Sequence, residues 1–157
     1  MVVTPSMVDV VRFAGGWLFD RVMAGWDVTV LTADRADSRP LRILGARAVD
    51  LERTLASPVR RPQPQAIAVG TDLYGSDERV RRMVLDALDA RLVEVRLWGD
   101  RWPADLGDGV DPIRHRLSAA ARAFKAQALA AAAVPVDSCD VTEVFRRSEL
   151  RRPSGSA

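Results

Sequence analysis

Three stretches of this 157-residue chain have the apolar, β-branched character of buried strands, and each runs into an aspartate: Val28 to Asp34, Ile67 to Asp72, and Val93 to Asp100. Helical patterns follow the second and third. Buried strands alternating with helices pack as a mainly parallel sheet covered on both faces. Ligands of such sheets gather outside the carboxyl ends of the strands, so Asp34, Asp72 and Asp100 are expected to face one crevice. With 48% apolar residues the chain can fill one core of ordinary size. The expectation is a single α/β domain over residues 1–150, with a Rossmann-like central sheet between two helical layers, followed by a mobile C-terminal tail, 151–157.

The first helix is signalled by Ser6 with Asp9 three residues on, an acidic capping box, followed by Val10, Phe13, Ala14, Trp17, Leu18 and Val22 at helical spacing. Gly25 ends it. The internal pair Gly15-Gly16 costs about 1 kcal/mol per glycine against alanine, so it marks close packing on the sheet or the approach of a ligand. A strand to Thr32, a polar loop and a short helix at Leu41 to Leu44 come next, and residues 46–51 fit a strand as well as they fit a helix continued past Gly45. Three prolines make Ser57 to Gln65 an extended connection. Ser76 reads as the cap of a helix bearing Val80, Met83, Val84, Ala87 and Leu88. Pro112 opens a long helix through Ile113, Leu117, Ala120, Phe124 and Ala128 to Val134, and Val141 to Leu150 reads as a final short helix.

From Trp17 to Leu51 the order helix, glycine, strand, polar turn, helix, glycine, strand resembles the middle of a Rossmann-like half. The likeness is one of pattern. The fingerprint G-x-G-x-x-G is absent, and only Met1 to Thr4 remains for a strand before the first helix.

Among candidate sites, the three aspartates could hold magnesium for phosphate-ester chemistry, with Asp50 a fourth member if residues 46–51 form a strand. Aspartate also commonly starts turns and caps helices, which explains such residues without any ion. Gly70 to Asp77 has the glycine spacing of a phosphate loop, but Ser76 stands where the lysine belongs and Asp72, Asp77 and Glu78 repel a polyphosphate. A weaker role survives, in which the amides of Gly75 to Asp77 at a helix start hold a small anion, carboxylate or hydroxyl ligand, and Thr71, Tyr74 and Ser76 of this loop are candidate ligand-binding residues. Trp98 and Trp102 bracket Gly99-Asp100-Arg101 and suit an aromatic wall, and Arg35, Arg39 and Arg101 are placed to meet an anion. His115 is the only histidine and Cys139 the only cysteine, so histidine-rich metal sites, disulfides and thiolate clips are excluded.

The net charge is +2, with arginine supplying almost all the positive charge, as the codon bias of a high-GC bacterium would produce. Arginine clusters at Arg60-Arg61, at Arg79, Arg81 and Arg82, and at Arg146, Arg147, Arg151 and Arg152 read chiefly as solvated faces. No apolar run approaches the roughly 18 residues of a membrane span, and no signal peptide is evident, which predicts a cytoplasmic protein. The thin catalytic inventory favours a small non-catalytic binding or regulatory protein that engages a protein or small-molecule partner at the carboxyl edge through Asp34, Arg35, Thr71, Asp72, Tyr74, Ser76, Trp98, Asp100 and Arg101. The alternatives are a magnesium-dependent phosphoester-processing enzyme using Asp34, Asp72 and Asp100, and nucleic-acid binding through the arginines. The cofactor is open apart from magnesium under the enzyme reading, and the sequence leaves strand order and oligomeric state undetermined.

Overall fold

A computed structural model of the chain describes residues 1–57, 63–90, 94–106, 112–136 and 140–147. The described strands are β1 (Val2–Thr4), β2 (Thr29–Thr32), β3 (Arg47–Asp50), β4 (Ala66–Gly70), β5 (Glu94–Trp98), β6 (Pro112–Arg116) and β7 (Thr142–Arg147). The helices are α1 (Met7–Met23), α2 (Arg39–Ile43), α3 (Leu51–Ala56), α4 (Thr71–Ser76), α5 (Glu78–Asp89) and α6 (Ala119–Ala131). The strands form one sheet in the order β3-β2-β1-β4-β5-β7-β6. β1 to β5 are mutually parallel, and β7 runs antiparallel to both β5 and β6.

The expected α/β architecture is therefore present, and side-chain alternation along the strands explains its layers. Val2, Val30, Ala68 and Trp98 point into a core shared with α1, α2 and α6. Val3, Leu31, Ile67, Val69 and Leu97 point the other way, toward α3, α4 and α5. Residues facing both layers must be apolar, which is why β4 is buried along its whole length. The three residues Val2–Thr4 form the strand between β2 and β4, and all three are buried.

Three expectations need correction, and the alternative left open for residues 46–51 is resolved. Pro112 starts no helix: residues 112–116 are the edge strand β6, and the helix begins after Ser118, whose hydroxyl accepts from the Ala121 amide. The expected helix over residues 141–150 is strand β7 as far as Arg147, with residues 148–150 outside the described region. Asp77, not Ser76, caps the helix after β4, its carboxylate accepting from the Arg79 amide, and a separate short helix α4 fills residues 71–76. Residues 47–50 are strand, and Asp50 caps α3 by accepting from the Arg53 amide. The tail 151–157, Cys139 and Arg60-Arg61 lie outside the described residues.

The glycine pair in α1 serves packing from beside the helix. A Cβ on Gly16 would stand 2.2 Å from Leu117, the residue leading into α6, whereas one on Gly15 would meet nothing nearer than 3.4 Å. The same opening admits Glu143 from β7. Its two carboxylate oxygens accept from the amides of Gly16 (2.8 Å) and Trp17 (2.7 Å), and Lys125 of α6 donates to it at 2.6 Å. Lys125 and Glu143 are only 3% and 4% exposed. Burial pushes the Glu143 carboxyl above its ordinary value against the opposing pull of Lys125 and the two amides.

Candidate functional site at the carboxyl edge

Parallel strands deliver their loops to one end, and the reversal of strand order about β1 opens a crevice there. The described residues place a pocket of about 390 Å³ at this point, walled by the start of α1 and the loops after β4 and β5. Its charged and polar lining is Asp9, Thr71, Asp72, Asp100 and Arg101, with Phe13 and Trp98 supplying aromatic surface. Thr71, Asp72, Trp98, Asp100 and Arg101 were all expected from the sequence to meet a ligand, and they are brought together. Asp9 and Phe13 were not. Asp9 read as the acid of a capping box, and Ser6 does cap α1 by accepting from the Asp9 amide. The Asp9 carboxylate instead accepts from the Trp98 indole N–H at 3.2 Å, tying α1 to the end of β5.

The other expected residues lie elsewhere. Asp34 is engaged by backbone, its oxygens accepting from the amides of Met7 (3.2 Å) and Ala36 (2.9 Å). β2 stands three strand positions from β5, a separation of roughly 14 Å at ordinary strand spacing. Among the described residues no three His, Cys, Asp or Glu side chains come together as a metal-holding group, so the Asp34, Asp72 and Asp100 ion site is not assembled. Arg35 is exposed and absent from the pocket wall. Tyr74 is 2% exposed and donates to Asp105 at 2.7 Å. Its hydroxyl is pushed up to about 12, by burial first and then by the carboxylate it bonds. Ser76 donates to the Leu73 carbonyl.

Within the pocket the polar groups are unusually free. Asp72, Asp100 and Arg101 are exposed, with no hydrogen bond or ion pair among the described residues. The hydroxyl of Thr71 has no partner although the residue is 5% exposed. It faces Gly99, where an added Cβ would stand 2.0 Å from Oγ1, and Gly99 has φ +132°, a conformation that suits glycine. The backbone after β5 can therefore close over Thr71 only because residue 99 lacks a side chain.

A larger cavity of about 810 Å³ lies toward the amino ends of β1, β2 and β4, lined by residues such as Met1, Thr29 and Ile67. Its basic side chains are already neutralised: Arg47 pairs with Asp27, Arg79 with Glu52 and Asp77, and Arg82 with Glu78. Arg79 and Arg82, two of the arginines of the nucleic-acid alternative, are thus paired with acids of the same chain. His115 on β6 is equally remote from the pocket, contacting Asp20 at 2.8 Å. Although burial opposes it, hydrogen bonds from Ser118 and His115 hold the Asp20 carboxyl below its ordinary value.

No protein-family description matches the chain, and no curated protein matches its sequence. Solved structures do. The A40926 pseudoaglycone deacetylase Dbv21 superposes with a TM-score of 0.63 at 17% identity, covering 96% of this chain and 98% of its own. A triple mutant of the deacetylase of the teicoplanin biosynthetic pathway gives 0.60 at 15%, over 93% and 95%. A zinc-inhibited form of teicoplanin deacetylase gives 0.52 at 16%, over 82% and 81%. At these identities the likeness establishes the shared fold. It also corrects the leading expectation of a non-catalytic binding or regulatory protein, because the solved chains that match this architecture are enzymes. One of them is described as zinc-inhibited, and the pocket here offers aspartates without histidine and no three-ligand group among the described residues. These donors do not make a three-ligand zinc site among the described residues.

No helix among the described residues is long and apolar enough to cross a membrane.

Proposed function

We propose that the chain is a hydrolytic enzyme that removes an acyl group from an amine at the carboxyl-edge pocket. The observation that carries this reading is the pocket itself: unpaired Asp72, Asp100 and Arg101 with a fixed Asp9, at the crevice of a fold shared with solved deacetylases. Asp9 is half-buried and one of its oxygens is held by Trp98, leaving the other to accept a proton from water as that water attacks the acyl carbon. Arg101 supplies a cation for the oxygen of the tetrahedral intermediate. Collapse breaks the carbon–nitrogen bond, and the proton held on Asp9 passes to the departing amine.

The test is release of primary amine from a panel of N-acetylated amino sugars and N-acylated glycopeptide aglycones, read by an amine-reactive fluorophore. The parent chain is expected to release amine, and Asp9→Asn to lose on the order of 10²-fold or more of the rate without a change in melting temperature. No release from any member, or equal rates in parent and variant, overturns the assignment.

A further inference from the structure

The carboxyl-edge pocket carries more negative than positive charge. Three carboxylates, Asp9, Asp72 and Asp100, line it against one guanidinium, Arg101. Neither Asp72 nor Asp100 has an ion-pair partner among the described residues, and unlike Glu52, Asp77 and Asp105, which pair with Arg79 and Arg81, they share one concave wall. Unpaired like charges on one concave wall repel each other and attract a cation, the more so because low-dielectric walls focus the field.

Acidic side chains alone would not define a ligand, but Thr71 adds an independent observation. Its hydroxyl is buried, lacks any partner, and faces the Gly99 backbone that forms the pocket wall. A buried hydroxyl without a partner is uncommon in folded chains, and this one belongs to a residue of the site. A hydroxyl can accept a hydrogen bond, carboxylates only accept, and an ammonium group has three N–H donors with no acceptor. Phe13, 42% exposed on the same wall, offers a ring face to such a cation or to the carbon chain bearing it.

We infer that this pocket recognises a ligand bearing a protonated amine, held by Asp72 and Asp100 beside the unpartnered Thr71 hydroxyl. The inference rests on the enzymatic reading and deepens it: the acylated substrate carries a second, free amine, as a partly acylated diamine or an amino sugar with one nitrogen unmodified would. The charged amine seats beside Asp72 and Asp100, and the acylated nitrogen lies toward Asp9 and Arg101.

Binding can be read without turnover, which separates this inference from the enzymatic one. The probes are n-butylammonium, n-butanol and butyrate, identical in chain length and different in charge, titrated into isotope-labelled protein while amide shifts of Thr71, Asp72, Gly99 and Asp100 are followed. Butylammonium is expected to move those signals saturably at millimolar concentration, to bind at least fivefold more weakly when salt is raised from 20 to 200 mM, and to bind at least fivefold more weakly to D72N/D100N. Both side chains are exposed and unpaired, so the double variant is expected to keep the parent melting temperature. Thr71→Ser, which keeps the hydroxyl, should bind as the parent does, and Thr71→Val more weakly. Equal affinity for butanol, preference for butyrate, or unchanged butylammonium affinity in D72N/D100N overturns the inference. Selective ammonium binding with no acyl release from any substrate would leave the cation site standing and remove the hydrolytic reading.

Discussion

Replacement of Lys125 by methionine is expected to expose the energetic logic of the interior. The side chain is nearly isosteric along its stem, so packing changes little, but the only cation touching Glu143 among the described residues disappears from a site where both groups are almost fully buried. Breaking a buried ion pair from one side costs about 3–5 kcal/mol, because the remaining charge is left uncompensated. Here the amides of Gly16 and Trp17 still donate to the carboxylate, which places the expected loss near the lower end, about 3 kcal/mol at pH 8. For a domain of this size that corresponds to a fall in melting temperature of roughly 6–12 °C. The pH dependence follows from the carboxyl already standing above its ordinary value. A group whose folded-state pKa exceeds its unfolded value contributes stability below the unfolded value and loses it as pH rises through the folded one. Without Lys125 the pKa climbs further, so Glu143 takes up a proton more readily as pH falls and the variant recovers part of its deficit at pH 5. Urea denaturation of parent and variant at pH 5 and pH 8 measures both terms. Removing both partners, as Lys125→Met with Glu143→Met, should restore at least half of the loss, since apolar replacement of a whole buried pair is often neutral. A loss under about 1 kcal/mol at pH 8, or a larger loss at pH 5 than at pH 8, would refute the account.

Glycine 16 should tolerate no side chain while its neighbour does: Gly16→Ala is expected to cost about 1–3 kcal/mol through the 2.2 Å approach to Leu117, and Gly15→Ala to be neutral or stabilising, both by thermal melting. Gly99→Ala meets Thr71 Oγ1 at 2.0 Å and an unfavourable φ, so acyl release and ammonium binding should both fall while the interior around Lys125 keeps its amide-exchange protection. The single tyrosine should titrate late. Followed by ultraviolet difference absorbance, Tyr74 is expected to ionise near pH 12 in the folded chain; because the unfolded residue ionises near pH 10, stability should decline from that pH upward, and Tyr74→Phe should remove that part of the decline.

Much of the sheet was legible because β4 is buried along its whole length and reads as a continuous apolar run, while β2 and β5 carry buried Val30, Leu31, Val95, Leu97 and Trp98 in β-rich surroundings. β1 was not, since three residues give no period to detect, although they lie inside the sheet between β2 and β4. β6 alternates exposed Pro112, Arg114 and Arg116 with half-buried Ile113 and His115, and a proline at its start mimics the first position of a helix. β7 misleads in another way: its inward positions are Glu143 and Phe145 while Val144 is 47% exposed, so the polarity of the alternation is inverted. Glu143 can face inward only because a lysine and two helix amides wait for it, a tertiary fact with no local trace. In the pocket the acids after β4 and β5 were legible as strand-end aspartates. Asp9 was concealed by a plausible local role as a helix cap, and Asp34 was misplaced because strand order, which separates β2 from β5, is not written in any one segment.

The contact of residue 143 with residues 16 and 17 also constrains how the chain can be made. Synthesis delivers the amino-terminal helix first, yet the carboxylate that occupies its midpoint emerges some 126 residues later. The edge strand β6 must likewise wait for β7, which is translated after it and inserts between it and β5. A nascent chain halted before Thr142 would leave a lysine with no counter-charge and a sheet open beside β5. Completion of the interior is thereby coupled to arrival of its last described strand, and partial products are marked by their own exposed edge.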